Sequence, residues 1–107
     1  MYLDNAATTP VRREALEAMW PFLTAEFGNP SSHHEVGERA AAALADARAS
    51  VARVLGMRSS DVIFTSGGTE ANNLAIKGIA IAARPRGKNH IVTTPIEHES
   101  ILESVEY

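Results

Sequence analysis

Residues 62–69 place the tightest local constraint on this chain. An apolar run, Val62-Ile63-Phe64, breaks into Thr65-Ser66-Gly67-Gly68-Thr69, and an apolar helical pattern follows from about Ala71 to Ala83. A strand that feeds a glycine-rich turn into a helix offers bare backbone N–H groups and the positive end of a helix dipole to an anion. Two glycines permit close backbone approach, and Ser66 and Thr69 add hydroxyls. Neither Lys nor Arg stands between Arg58 and Lys77, so any attraction for an anion must come from the backbone. The turn lacks the Gly-Lys-Ser/Thr of a Walker A loop and the G-x-G-x-x-G spacing, which disfavours nucleoside triphosphates and dinucleotides. Taken alone, such a turn is more often a plain tight connection than an anion site. Glu70 would repel an anion unless it points away.

The same grammar recurs downstream. His90-Ile91-Val92-Thr93-Thr94 reads as a second short strand, Pro95 to His98 as a turn, and Glu99 to Tyr107 as the start of a helix. The order β, α, β, α predicts an α/β protein with mainly parallel strands and flanking helices. The helix from Ala71 to Ala83 carries only Lys77 as an interior charge, so burial on most sides is expected. Upstream, residues 1 to 7 read as extended, and Thr9 with Pro10 reads as a helix start. Val11, Ala15, Leu16, Met19, Trp20 and Leu23 mark one face of that helix, which Pro21 should kink or end near Trp20. Phe27 to Ser32 is a loop, Ser32 and Glu35 have the spacing of a capping box, and Gly56 is the expected C-cap of a long Ala-rich helix.

With 107 residues the chain suits one small domain, and 45% hydrophobic against 21% charged residues is ordinary for a globular protein. A net charge of -3, with scattered basic residues, argues against a nucleic-acid binder. There is no cysteine, hence no disulfide, thiolate nucleophile or Cys-based metal site in these residues. The start lacks a basic segment followed by an apolar one, and no apolar run is long enough to span a bilayer, so the expected compartment is the cytoplasm. Because the helical pattern runs to Tyr107 without a C-cap, a fragment is expected.

Among candidate side chains, His98 is expected at the C-terminal end of the second strand, where ligands sit in open α/β sheets; the competing reading is a solvated polar turn. His33 and His34 are adjacent and would point different ways on a helix, so no metal site is expected. Asp4-Asn5 suits a turn, or an acid and amide donor in a cleft. Lys77 lies mid-helix and Lys88 in a loop, and neither has the setting of a buried, reactive amine.

Four segments taken together, Tyr2 to Pro10, Phe27 to His34, Phe64 to Ala75 and Glu97-His98, resemble the cysteine desulfurases of the class V aminotransferase family across essentially the whole chain. The resemblance implies the N-terminal part of a fold-type I enzyme that uses pyridoxal 5'-phosphate, with residues 1–10 an extended segment and 11–107 the first part of the large cofactor-binding domain. It implies conversion of L-cysteine to L-alanine, with sulfur leaving as a persulfide for iron–sulfur clusters or thiolated cofactors. Gly68 and Thr69 then correspond to phosphate contacts, and His98 to the histidine that stacks on the pyridine ring and moves protons. Ala7, Thr8, Asn29, Ser31 and His34 correspond to walls of the substrate cleft. A homodimer and a sulfur-acceptor or scaffold protein are the implied partners. The family's Schiff-base lysine, its aspartate at the pyridine nitrogen and its sulfur-accepting cysteine would all lie beyond Tyr107, so these residues alone are expected to be inactive. Alternatives within the same shape are a selenocysteine lyase or other class V aminotransferase, and a non-catalytic interaction module.

In that family the first two large-domain strands are not sheet neighbours, so residues 1–107 alone would leave strand edges and apolar helix faces bare. The expected behaviour of this stretch in isolation is aggregation, oligomerisation or dependence on further chain. Sedimentation and denaturant titration check this, and a monomer that unfolds cooperatively overturns it.

Overall fold

Neither apolar run becomes a strand. In a computed structural model that describes residues 1–107, the regular structure is all helical: α1 Arg13–Thr24, α2 Glu35–Leu55, α3 Gly68–Ala83 and α4 Glu99–Glu106, with single 3-10 turns at Ser59–Asp61 and Arg84–Arg86. The expected parallel α/β sheet is therefore corrected to an all-helical arrangement. The physical reason is that a strand exists only within a ladder, and a lone parallel pair is marginal without a sheet covered on its faces. Residues 62–64 and 90–94 carry strand-like composition without that partner surface, and Val92 is 95% exposed.

The chain divides into two units, Met1–Val62 and Ile63–Tyr107. In the first, residues 1–7 are not simply extended: the N–H groups of Ala7 and Thr8 both reach the Asp4 carbonyl, at 3.1 and 3.4 Å, closing a turn. The Tyr2 hydroxyl lies 2.6 Å from the Thr8 hydroxyl and donates to the Asp4 carbonyl at 2.8 Å, so Thr8 is engaged in this turn. Helix α1 begins only at Arg13, after an extended Arg12 with no side-chain cap, which corrects the expected start at Thr9 and Pro10. Pro21 does not end α1; the helix runs on to Thr24, whose hydroxyl donates to the Trp20 carbonyl at 2.9 Å. None of its residues is buried, and Trp20 is 60% exposed.

His34, rather than Ser32, caps α2: its Nδ1 accepts the Gly37 N–H at 3.2 Å. Glu35 and Glu38 follow in the first turn, where the dipole favours carboxylates. The preceding loop presses against this turn so closely that two glycines are required. A Cβ on Gly28 would strike the Val36 carbonyl, and one on Gly37 would strike the Ser32 and Asn29 carbonyls. At the far end Gly56 adopts the left-handed conformation (φ 66°), and the Met57 N–H returns to the Ala52 carbonyl at 2.9 Å, the C-cap expected of glycine there. Ala52 and Val62 are the buried apolar residues of this unit, and Arg48 Nε donates to the Val62 carbonyl at 3.0 Å. Arg58 forks onto Asp61 through two 2.9 Å bonds; this pairing holds the Asp61 carboxyl below the usual carboxylate range.

In the second unit α3 packs on α4. Ser100 and Ser104 are buried there, and the Ser104 hydroxyl donates to the Ser100 carbonyl at 2.7 Å. Lys77 Nζ sits 4.0 Å from the centre of the Tyr107 ring, a cation–π contact that gives this mid-helix lysine a local partner. The rest of α3 is not buried as its composition suggested: Ile79 and Ile81 remain about 70% exposed (71% and 69%).

The close approach at α2 has a direct test. Gly37→Ala should lower stability by about 1–3 kcal/mol, because the added methyl meets two backbone oxygens that cannot swing aside. Chemical denaturation followed by circular dichroism reads the loss, and an unchanged midpoint refutes it.

Candidate functional site

The glycine-rich turn and His98 both belong to the second unit. Helix α3 starts at Gly68, earlier than the apolar pattern indicated, with Gly67 as an extended N-cap. Its first helical hydrogen bond is Ala71 N–H to the Gly67 carbonyl at 3.1 Å, so the amides of Gly68 and Thr69 precede the helical ladder and have no acceptor within it. A Cβ built on Gly67 or Gly68 would meet nothing within 4 Å, so packing does not demand glycine here and the space over the turn is open. The Thr65 hydroxyl donates to the Gly67 carbonyl at 3.1 Å, pinning the turn from the upstream side.

Glu70 resolves its own conflict by folding back. Its Oε2 accepts from the Ser66 N–H at 2.6 Å and from the Ser66 hydroxyl at 2.7 Å. These bonds hold the Glu70 carboxyl below the usual carboxylate range, the side-chain hydroxyl being the larger cause and the backbone N–H the second. The turn therefore already binds one oxyanion, its own carboxylate, at Ser66. Ser66 is occupied, and the amides of Gly68, Thr69 and Glu70, with the Thr69 hydroxyl beside them, remain outside the helical ladder.

His98 occupies the N-cap of α4 with extended backbone (φ −63°, ψ 145°). The turn before it is closed by the Thr94 hydroxyl, which donates to Glu97 Oε1 at 3.0 Å. His98 Nδ1 accepts the Ser100 N–H at 3.1 Å and lies 2.9 Å from the Ser100 hydroxyl. That hydroxyl in turn receives the Asn72 Nδ2–H at 2.8 Å. Asn72 stands one helical turn after Thr69 on α3, so these bonds tie the first turns of α3 to the base of the imidazole. Neither Asn72 nor Ser100 was singled out in the sequence. The available signal was a serine at the second position after a histidine opening a helix, the spacing at which a cap accepts a backbone N–H.

The remaining candidates lie in the first unit, each with a local structural bond. Ala7 and Thr8 close the turn at Asp4, Asn29 Oδ1 accepts the Ser31 N–H at 2.9 Å, and His34 caps α2. There is no group of three or more side chains suited to hold a metal ion. No helix is long and apolar enough to cross a membrane.

The pH dependence follows from the sign of the Glu70 shift. A carboxyl held below its ordinary range adds stability that is present above the unfolded value and is lost as pH falls through the folded one. Glu70→Gln should therefore lower thermal stability near neutrality, where the wild type has this contribution, and flatten the acid limb, so that the two proteins converge at low pH. Melting curves collected from acid to neutral pH test this, and parallel limbs for the two proteins would contradict it.

Residues 1–106 match the family model described as aminotransferase class-V. The chain is 53% identical over 103 residues to the cysteine desulfurase IscS of Dictyoglomus turgidum, covering 96% of this chain and 26% of that protein. It is 52% identical over 104 residues to the cysteine desulfurase IscS of Methanosarcina thermophila, covering 97% and 26% respectively. A solved structure of a NifS-like protein superimposes with a TM-score of 0.89 at 43% identity, over 99% of this chain and 29% of the other. The chain thus spans about a quarter of the length of the curated relatives it matches (26%). With a family match over nearly every residue and relatives above half identity, the chain belongs to the class V aminotransferase family.

Proposed function

We propose that this chain supplies the phosphate-binding turn and the ring-covering histidine of a pyridoxal 5'-phosphate-dependent cysteine desulfurase. Membership of the class V aminotransferase family implies that cofactor for the whole enzyme. The observation that carries the reading to these residues is the N-terminus of α3: amides outside the helical ladder, open space above them, and a hydrogen-bonded path through Asn72 and Ser100 to His98.

The fit is chemical as well as spatial. A phosphate needs several N–H and O–H donors converging on one side, and here the helix dipole adds to the Gly68 and Thr69 amides and the Thr69 hydroxyl. Glu70 does not spoil this, because its carboxylate is tied to Ser66 and its charge is held by that hydroxyl and amide. When bound, pyridoxal phosphate supplies the electron sink that weakens the C–S bond of the substrate. The protein's share is to hold the phosphate, cover the ring with the His98 imidazole and carry a proton on that imidazole. The chain has no cysteine, so the thiol that accepts sulfur is not among its residues. In this reading the substrate is L-cysteine, the products are L-alanine and a persulfide, and the partners are a second copy and a sulfur-acceptor or scaffold protein in the cytoplasm.

The test uses the full gene product that carries these residues. Thr69→Val and His98→Ala should each weaken retention of the cofactor, read from its visible absorbance during dialysis. Loss of one hydrogen bond to a charged group predicts about a tenfold or greater fall in affinity for Thr69→Val. Unchanged affinity in both variants removes the assignment.

A further inference from the structure

We propose that Ser100, held in place by Asn72, is a positioning residue that fixes the tautomer of His98 with its proton on Nε2. The reasoning begins with a donor that has no choice. A backbone N–H only donates, so the Ser100 N–H at 3.1 Å makes His98 Nδ1 an acceptor, which therefore bears no proton. The Ser100 hydroxyl lies 2.9 Å from the same nitrogen. Because Nδ1 bears no proton, the hydroxyl is the donor across that gap, and its oxygen accepts the Asn72 amide N–H at 2.8 Å, which holds it in place. The single lone pair of Nδ1 is thus shared between the N–H and the hydroxyl of one residue, and a neutral imidazole so held carries its proton on Nε2.

Burial makes the arrangement firm. Ser100 is 8% exposed, and Ser104, 4% exposed, fastens the Ser100 carbonyl one turn on. His98 itself is exposed, so its ring projects from a fixed base. Asn72 sits on α3 and Ser100 on α4, so the hydroxyl's share in holding Nδ1 depends on the packing of two helices, while the share of the Ser100 N–H is local to the start of α4. The bearing of this on proton transfer rests on the cofactor reading given above; the tautomer itself does not.

The experiment is a two-bond 1H–15N correlation spectrum of the imidazole in the full gene product, prepared without cofactor at neutral pH. The wild-type His98 signal should have the Nε2–H pattern. Ser100→Ala removes one donor, and Asn72→Asp replaces a donor by an acceptor that draws the hydroxyl proton away. Each should raise the Nδ1–H to Nε2–H ratio about fivefold, the effect of one ordinary hydrogen bond. Ser100→Thr, which keeps the hydroxyl, should restore the wild-type pattern. A wild-type signal with the proton on Nδ1, or variants that keep the wild-type balance, overturns the proposal; should Ser100→Ala not fold, Asn72→Asp alone decides it. Because no cofactor is present, this result stands apart from the absorbance assay: a tautomer that responds as expected beside unchanged retention in the Thr69 and His98 variants would sink the cofactor reading alone.

Discussion

The hydrogen bond from the Asn72 amide to the Ser100 hydroxyl spans the contact between α3 and α4, and most of what is specific about the second unit passes through it. A buried hydroxyl without a partner costs about 1–3 kcal/mol, so the two helices are held in the register that satisfies it. Ser104 adds a bond to the Ser100 carbonyl, and the His98 ring takes the Ser100 N–H. Small polar residues at this contact do what bulky apolar ones do elsewhere: they fix the spacing, and they fix it by direction as well as by volume. The glycine-rich turn is therefore coupled to His98 by a few short bonds rather than by a large core.

A carboxylate is tolerated at the start of α3 because it is bonded locally. Glu70 occupies the third position of α3, counting from Gly68, where glutamate commonly reaches back to an amide near the cap. Here the amide and the hydroxyl both come from Ser66. The carboxylate satisfies donors that would otherwise face water, and its place is upstream of Gly68 and Thr69. Charge near the turn is thus partitioned along the chain, with the negative group at Ser66 and the uncommitted donors after it.

Sequence patterns located the features governed by local chemistry. Gly56 as a left-handed cap, the end of α3 at Ala83 and the start of α4 at Glu99 all follow from short-range rules about glycine, proline and apolar spacing. The turn at 66–69 and the placement of His98 at a helix start were legible for the same reason. The strands were not, because Val62 to Phe64 and His90 to Thr94 have composition for a sheet and the sheet is a property of partners. The start of α1 was misplaced because Thr8 is drawn into the turn at Asp4, and Tyr2, six residues away, sets that competition. His34 displaced Ser32 as a cap because the loop from Gly28 folds tightly on the helix, which only the contacts at Gly28 and Gly37 reveal. Asn72 and Ser100 escaped notice since their pairing joins positions separated by 28 residues.

The fit at Gly28 and Gly37 gives α2 a mechanical character. The loop from Gly28 to Ser32 and the first turn of the helix interlock backbone to backbone, so they move as one piece. Helix α2 has 21 residues, a rod of about 30 Å. A tilt of about 5° imposed at the loop would carry its far end through about 3 Å. A molecule that displaced Asn29 or Ser31 would thus tilt α2 along its length, and with it Ala52 in the last turn, the most deeply enclosed apolar side chain of the unit.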